Sequence, residues 1–261
     1  MADQIISRIT RRLRRDGIRA FTTQAFEIAV LGVASMLLAP LRRRASQEPF
    51  YQVFEHFRSA LQKKPGGSVL EIGSRNVSGL IRRGLIGDEA HYTGFDIHPG
   101  ENVDVVGDAH ALTTSFPAGH FDAVFSVSVF EHLAMPWKVL LEINRVMKTG
   151  GLLYISTHPV WPAHELPWDF WRFSAETFRV LLNEATGFEI IECVEGNPAR
   201  IVSLSGDPAT RGALLARVNQ SVAVLARKSG EPASGLEWNM ATAAILKTVY
   251  PSPVSTVSHG G

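Results

Sequence analysis

The chain has 261 residues, 45% of them hydrophobic and 20% charged, with a formal net charge of +1 and a mean hydropathy of +0.05. This apolar content supports one folded α/β domain of ordinary size plus extensions, and it excludes a chain too polar to bury a core. A single cysteine, Cys193, excludes an internal disulfide and a thiolate metal cluster, so a reducing, cytoplasmic location is the default; Cys193 reads as a small buried or half-buried side chain in a strand-like run, with no catalytic part.

The small net charge hides an asymmetry. Residues 1 to 44 hold nine arginines against Asp3, Asp16 and Glu27, while the remainder sums to −5. Ile5, Ile6, Ile9 and Leu13 share one helical arc, and Arg8, Arg11, Arg12, Arg14 and Arg15 lie opposite, which is the pattern of an interfacial helix. After Gly17 an apolar run from Ile28 to Leu41 leads to Arg42–Arg44. As a helix that run reaches about 21 Å, short of the roughly 30 Å hydrocarbon core. Extending it back to Ala20 buries Gln24 and Glu27, at a cost of a few kcal/mol for the carboxylate. Residues 1–48 are therefore expected to form a basic, apolar helical extension lying on a membrane surface, peripheral at its inner face. Packing on the rest of the chain or on a partner, and a span, are the alternatives; a cleavable signal fits worst. Isoleucine and leucine alternate with the arginines without interleaved aromatics, so no nucleic-acid partner is expected.

From residue 49 onward helical and strand patterns alternate. Helices are predicted near 49–63, 78–86, 136–148 and 174–185, and strands near 68–73, 91–97, 103–107, 120–127, 151–157, 188–195 and 221–228. Seven strands in this alternation predict an α/β fold with a mostly parallel sheet and helices on both faces. Residues 49–230 form this predicted domain, with an insertion near 196–220. Residues 231–261 are read as a C-terminal extension that is partly disordered from Pro251. Ser174 and Thr177 make a capping arrangement for the last helix. Oligomeric state is left open.

Val69-Leu-Glu-Ile-Gly-Ser-Arg-Asn-Val-Ser-Gly79 is a strand entering a turn led by Gly73, and Asp96 closes the next strand. A nucleoside site has these parts, but a dinucleotide fingerprint needs a glycine where Arg75 stands. Glu71, two residues before the turn, disfavours a pyrophosphate and favours a cationic nucleoside. Three further motifs follow in order: Val105-Val-Gly-Asp-Ala109, Phe121 to His132, and Asn144-Arg-Val-Met-Lys-Thr-Gly-Gly151.

Together these motifs resemble the class I S-adenosylmethionine-dependent methyltransferases, over roughly Ser68 to Arg227. The resemblance implies a Rossmann-like sheet and S-adenosylmethionine as cofactor. It implies that the turn from Glu71 to Gly79 holds the methionine end, with Gly73 allowing close backbone approach and Ser74 offering a hydroxyl. Asp96 and Ile97 would meet the ribose side, Asp108 and Ala109 the adenine, and Ser126 the loop that closes over the cofactor. Ser74, Arg75, Asn76 and Val77 separate Gly73 from Gly79, a departure from the family's alternate glycines that reads as a subtype. Simple turn chemistry for Ser74 and Asn76 is the equal alternative.

Ligands in such a sheet lie beyond the carboxyl ends of the strands, so the segment after the fifth strand, His158 to Phe173, is expected to face the acceptor. It holds three of the five tryptophans. Trp168-Asp-Phe-Trp-Arg-Phe173 resembles a motif of methyltransferases associated with cell-surface saccharides. His164, Trp168, Asp169, Trp171 and Arg172 are the substrate-binding candidates, through aromatic stacking and polar contacts. Against this, Trp171 and Phe173 read as core anchors, and Asp169 as a structural partner of Arg172. A hydroxyl acceptor needs a base, and His158 is the first candidate, His132 the second and His164 the third. No compact ligand spacing requires a metal. The expected function is O-methylation of a saccharide, glycolipid or other membrane-associated acceptor. A soluble small-molecule acceptor, and a non-catalytic cofactor-binding scaffold, are the alternatives.

Overall fold

The computed structural model describes residues 25–37, 39–41, 48–87, 89–203, 205, 207–210 and 216–236. The chain divides into two compact units, Met1–Ala45 and Ser46–Gly261. In the first, residues 25–37 form a helix (α1), with a short 3-10 turn at Ala39–Leu41. α1 exposes Phe26, Ile28, Val33, Met36 and Leu37, with Met36 78% exposed. No helix among the described residues is long and apolar enough to cross a membrane. The arginine-rich pattern at residues 5–15 and the tail from Pro251 lie outside the described residues.

The second unit is a seven-stranded sheet. Its strands are β1 (Ser68–Ile72), β2 (His91–Asp96), β3 (Val105–Val106), β4 (Phe121–Val127), β5 (Met147–Thr157), β6 (Phe188–Arg200) and β7 (Arg217–Lys228), in the order β3-β2-β1-β4-β5-β7-β6. β1 to β5 pair in parallel, and β7 runs antiparallel between β5 and β6. Successive residues point to opposite faces, and both faces are covered. On one face Val69, Ala123, Phe125, Tyr154 and Leu225 receive Val53 and Phe57 of α2 (Pro49–Gln62). On the other, Leu70, Ile72, Val124, Leu153 and Val224 meet α4 (Pro136–Val146) and α5 (Ala175–Leu181). Each large apolar side chain so buried contributes about 2 kcal/mol.

Three predicted elements come out differently. The helix expected at 78–86 is only α3 (Arg83–Ile86), because Gly79 takes φ +82° and its N–H donates to the Asn76 side chain 2.8 Å away, closing a turn first. The strand expected from 151 begins at Met147 directly after α4. Met147 pairs with Phe121 but Leu152 with Ala123, so the Gly150-Gly151 turn is a bulge inside β5. The strands expected at 188–195 and 221–228 are longer: β6 runs on to Arg200 and β7 starts at Arg217, so their long hairpin takes in both ends of the stretch read as an insertion near 196–220. The predicted cap is present, with Ser174 and Thr177 bonded reciprocally at the start of α5.

Candidate active site

The carboxyl ends of β1, β2 and β4 surround a cavity of about 270 Å³. Gly73 borders it at φ +80°, where an added Cβ would overlap Val129, so the turn requires glycine. Asp96 stands at the end of β2. Its Oδ2 accepts the N–H of Arg75 at 3.2 Å, and its Oδ1 accepts the N–H of His98 at 2.9 Å. Two bonds leave a carboxylate with acceptor capacity to spare. Ile97, Asp108 and Ala109 line the same cavity. Asp108 Oδ1 caps the following 3-10 turn through His110 N–H at 2.9 Å. The His110 ring accepts the Met135 N–H at Nε2 and therefore donates from Nδ1 to Asp108 at 2.6 Å.

The other cofactor candidates do not line the cavity. Glu71 is 1% exposed and accepts from the Tyr92 hydroxyl, with the Arg82 guanidinium 3.5 Å away; burial pushes its carboxyl up, against the pull of Tyr92 and Arg82. Arg82, not Glu71, faces the cavity, as does Arg75. Ser74 is buried where Gly94 leaves room for it. Gly79 shapes the turn, and Ser126 is fully buried in β4 beside the lining residue Val127.

The segment after β5 folds back over this end of the sheet. His132, His164 and Trp168 line the cavity. Asp169, whose side chain is 1% exposed, holds Arg172 through two bonds of 2.7 and 2.8 Å, and the guanidinium depresses its carboxyl well below the usual range. Arg172 also donates to the carbonyls of Trp161 and Pro162, so the pair fastens the loop. Trp171 donates to Leu133 O at 2.8 Å and packs edge-on against Trp137, away from the cavity. Phe173 is core, stacked on Phe178.

His158 lies elsewhere. With Phe50, Tyr51, Trp161, Asn197, Gln220 and Ser221 it lines a second cavity of about 450 Å³, and Val127 and Ser128 border both cavities. Its Nδ1 is 3.3 Å from Gln220 O and so carries the proton, leaving Nε2 as acceptor for the Ser128 hydroxyl at 3.2 Å. Burial pushes the imidazole pKa down, against the pull of Glu131. Its ring stacks on Trp161, centroids 4.8 Å apart and planes 19° from parallel. Glu131, fully buried, accepts the Thr157 hydroxyl at 2.6 Å and receives the N–H groups of Phe170 and Trp171 on its backbone carbonyl. Among the described residues, Glu131, His132 and His164 form a group with metal-ligand spacing.

Residues 70–155 match the family described as a methyltransferase domain. No curated protein sequence matches the chain. Among solved structures, the chain is similar to an S-adenosylmethionine-dependent methyltransferase from Archaeoglobus fulgidus, with 21% identity over 67% of this chain and 94% of that one and a TM-score of 0.47. It is also similar to the YcgJ protein from Bacillus subtilis, with 14% identity over 69% of this chain and all (100%) of that one and a TM-score of 0.50, a likeness of fold.

Sheet order, the cavity at the strand ends and the family match over β1 to β5 together define a methyltransferase domain of Rossmann-like fold. The protein is an enzyme, a methyltransferase, and its cofactor is S-adenosylmethionine. The residues present fit that group: a glycine turn that admits close backbone approach, a carboxylate with unused acceptor capacity and two guanidinium groups able to meet an amino-acid carboxylate.

Proposed function

We propose that the enzyme methylates a hydroxyl of a saccharide, glycolipid or other membrane-associated acceptor, held in the second cavity and presented to the first across Ser128. The observation that carries this reading is the shared border: Val127 and Ser128 line both cavities, so groups in the two can meet at the end of β4. Bound in the first cavity, S-adenosylmethionine supplies an activated methyl group on a sulfonium.

The chain's own residues supply orientation, exclusion of water and a place for the proton. In this reading Asp96 holds the ribose hydroxyls, Asp108 and the Ala109 backbone read the base, and Arg82 takes the carboxylate end. Trp161 offers an aromatic plate for a sugar ring, and Asn197, Gln220 and Ser221 offer polar groups to its hydroxyls. His158, neutral and with its lone pair at Nε2, receives the acceptor's proton. Exposed apolar residues on α1 support a membrane-surface location, in which the lipid face brings enzyme and acceptor together.

The test is transfer of a labelled methyl group from S-adenosylmethionine to fractionated cell material by the full-length protein. Label in the saccharide or glycolipid fraction supports the reading. Label confined to water-soluble small molecules overturns the acceptor class, and no label in any fraction overturns catalysis.

A further inference from the structure

We propose that Glu131, His132 and His164 form a binding site for one first-row divalent metal ion at the rim of the cofactor cavity. Each offers a ligand atom, and the three atoms lie within 4.8 Å of one another. Tetrahedral ligation at about 2.1 Å sets ligand atoms about 3.4 Å apart, so the cluster needs only a modest closing movement. His164, with its side chain 32% exposed, is the member able to make it.

The protonation pattern points the same way. His132 Nδ1 lies 2.6 Å from the carbonyl of Trp168, and His164 Nδ1 lies 3.1 Å from that of Pro162 and 3.4 Å from Asp169. A carbonyl only accepts, so both rings carry their proton on Nδ1 and their lone pair on Nε2. Metal-binding histidines are held in this way, one nitrogen donating to a carbonyl or carboxylate while the other faces the ion.

Glu131 provides the second, independent observation. It is fully buried, Oε2 takes the Thr157 hydroxyl, and Oε1 accepts no hydrogen bond. His158 Nε2 lies 3.4 Å from Oε1 but makes no hydrogen bond to it. A purely structural network explains the two Nδ1 contacts, since they fasten the loop that carries His164. It leaves the buried Oε1 without a hydrogen bond, and a bound cation satisfies it.

Two imidazoles and one carboxylate suit zinc, iron(II) or manganese(II) and fit poorly with calcium or magnesium, which prefer all-oxygen ligation. Three protein ligands leave a further position open. His132 and His164 line the cofactor cavity, so an acceptor oxygen could take that position. Metal binding itself does not depend on which acceptor is methylated.

The experiment is calorimetric titration of the untagged, chelator-treated full-length protein with zinc chloride, followed by cobalt(II) absorption spectroscopy. One zinc per chain with micromolar or tighter affinity is expected, together with cobalt bands of a tetrahedral or five-coordinate site. His164→Ala and Glu131→Gln should each weaken that affinity by 100-fold or more, while His91→Ala, on an exposed histidine at the start of β2, should leave it unchanged. Should the buried Glu131→Gln variant fail to fold, the loop variant His164→Ala decides alone. Zinc affinity weaker than 100 µM in the parent protein, or equal affinity in His164→Ala, overturns the site.

Discussion

The Ser128 hydroxyl lies 3.2 Å from Nε2 of His158, joining the ends of β4 and β5 where the two cavities meet. This contact orients the ring from one side while Gln220 O holds Nδ1–H from the other. A ring held at both nitrogens has a defined direction for its lone pair.

His158→Gln should therefore separate binding from chemistry. We expect cofactor affinity to stay within a few-fold of the parent, since His158 does not line the first cavity, the proposed cofactor site. Turnover at saturating acceptor should fall by about 10²- to 10⁴-fold, the usual worth of a general base. Steady-state kinetics with the acceptor found by methyl labelling checks this, and full turnover in the variant removes His158 as the base.

Gly73→Ala tests the turn after β1. At φ +80° with Val129 in the way, an alanine adds backbone strain and a steric overlap. A loss of about 1–3 kcal/mol is expected, read as a lower melting temperature, along with weaker cofactor binding. An unchanged melting temperature means that the turn accommodates a side chain after all.

Arg172→Ala leaves the buried Asp169 carboxylate without its bidentate partner and frees the carbonyls of Trp161 and Pro162. Losing charge-assisted bonds of this kind costs about 2 kcal/mol. Limited proteolysis should show faster cleavage between residues 158 and 172. Arg172→Lys should rescue poorly, because an ammonium cannot reproduce the fork geometry.

Much of this architecture is legible in the amino-acid sequence, for identifiable reasons. All seven strands are visible because apolar residues on a doubly covered sheet form short continuous runs, as in Phe121–Val127, bounded by turn residues. Asp96 and Asp108 are readable because their positions after β2 and β3 are set by the strands themselves. Ser74, Glu71 and Ser126 sit in these motifs but do not line the first cavity: Ser74 is buried against Gly94, Glu71 is bonded to Tyr92 and Ser126 is buried in the sheet, none of which local sequence displays. The second cavity draws on Phe50, Tyr51, His158, Trp161, Asn197, Gln220 and Ser221, which only the long β6–β7 hairpin and α2 bring together. Glu131 and His132 are adjacent to each other but 33 and 32 residues before His164, and no spacing rule links them.

Asp122 gives a pH-dependent stability prediction. Partial burial pushes its carboxyl up, but bonds from Lys148 at 2.7 Å and from Ser68 N–H at 2.9 Å outweigh that and hold it below the usual carboxylate range. A carboxyl depressed in the folded state stabilises above its unfolded pKa of about 3.9, and that stabilisation is lost as pH falls through the lower folded value. Asp122→Asn should then be less stable than the parent by about 0.5–1 kcal/mol at pH 7, a modest figure because the Lys148 pair is partly exposed. Urea denaturation should show the gap shrinking as the pH is lowered below 4; a gap that widens in acid contradicts the assignment.

Binding of the cofactor in the first cavity is measured by calorimetry with S-adenosylhomocysteine on the parent and on Asp96→Ala. In the proposed binding mode, removing the carboxylate takes away the ribose acceptor, and it also unties the Arg75 turn. Affinity should fall by about 10- to 100-fold, corresponding to about 1.4–2.7 kcal/mol. Equal affinity in the two proteins, with the variant folded, would contradict the cofactor site.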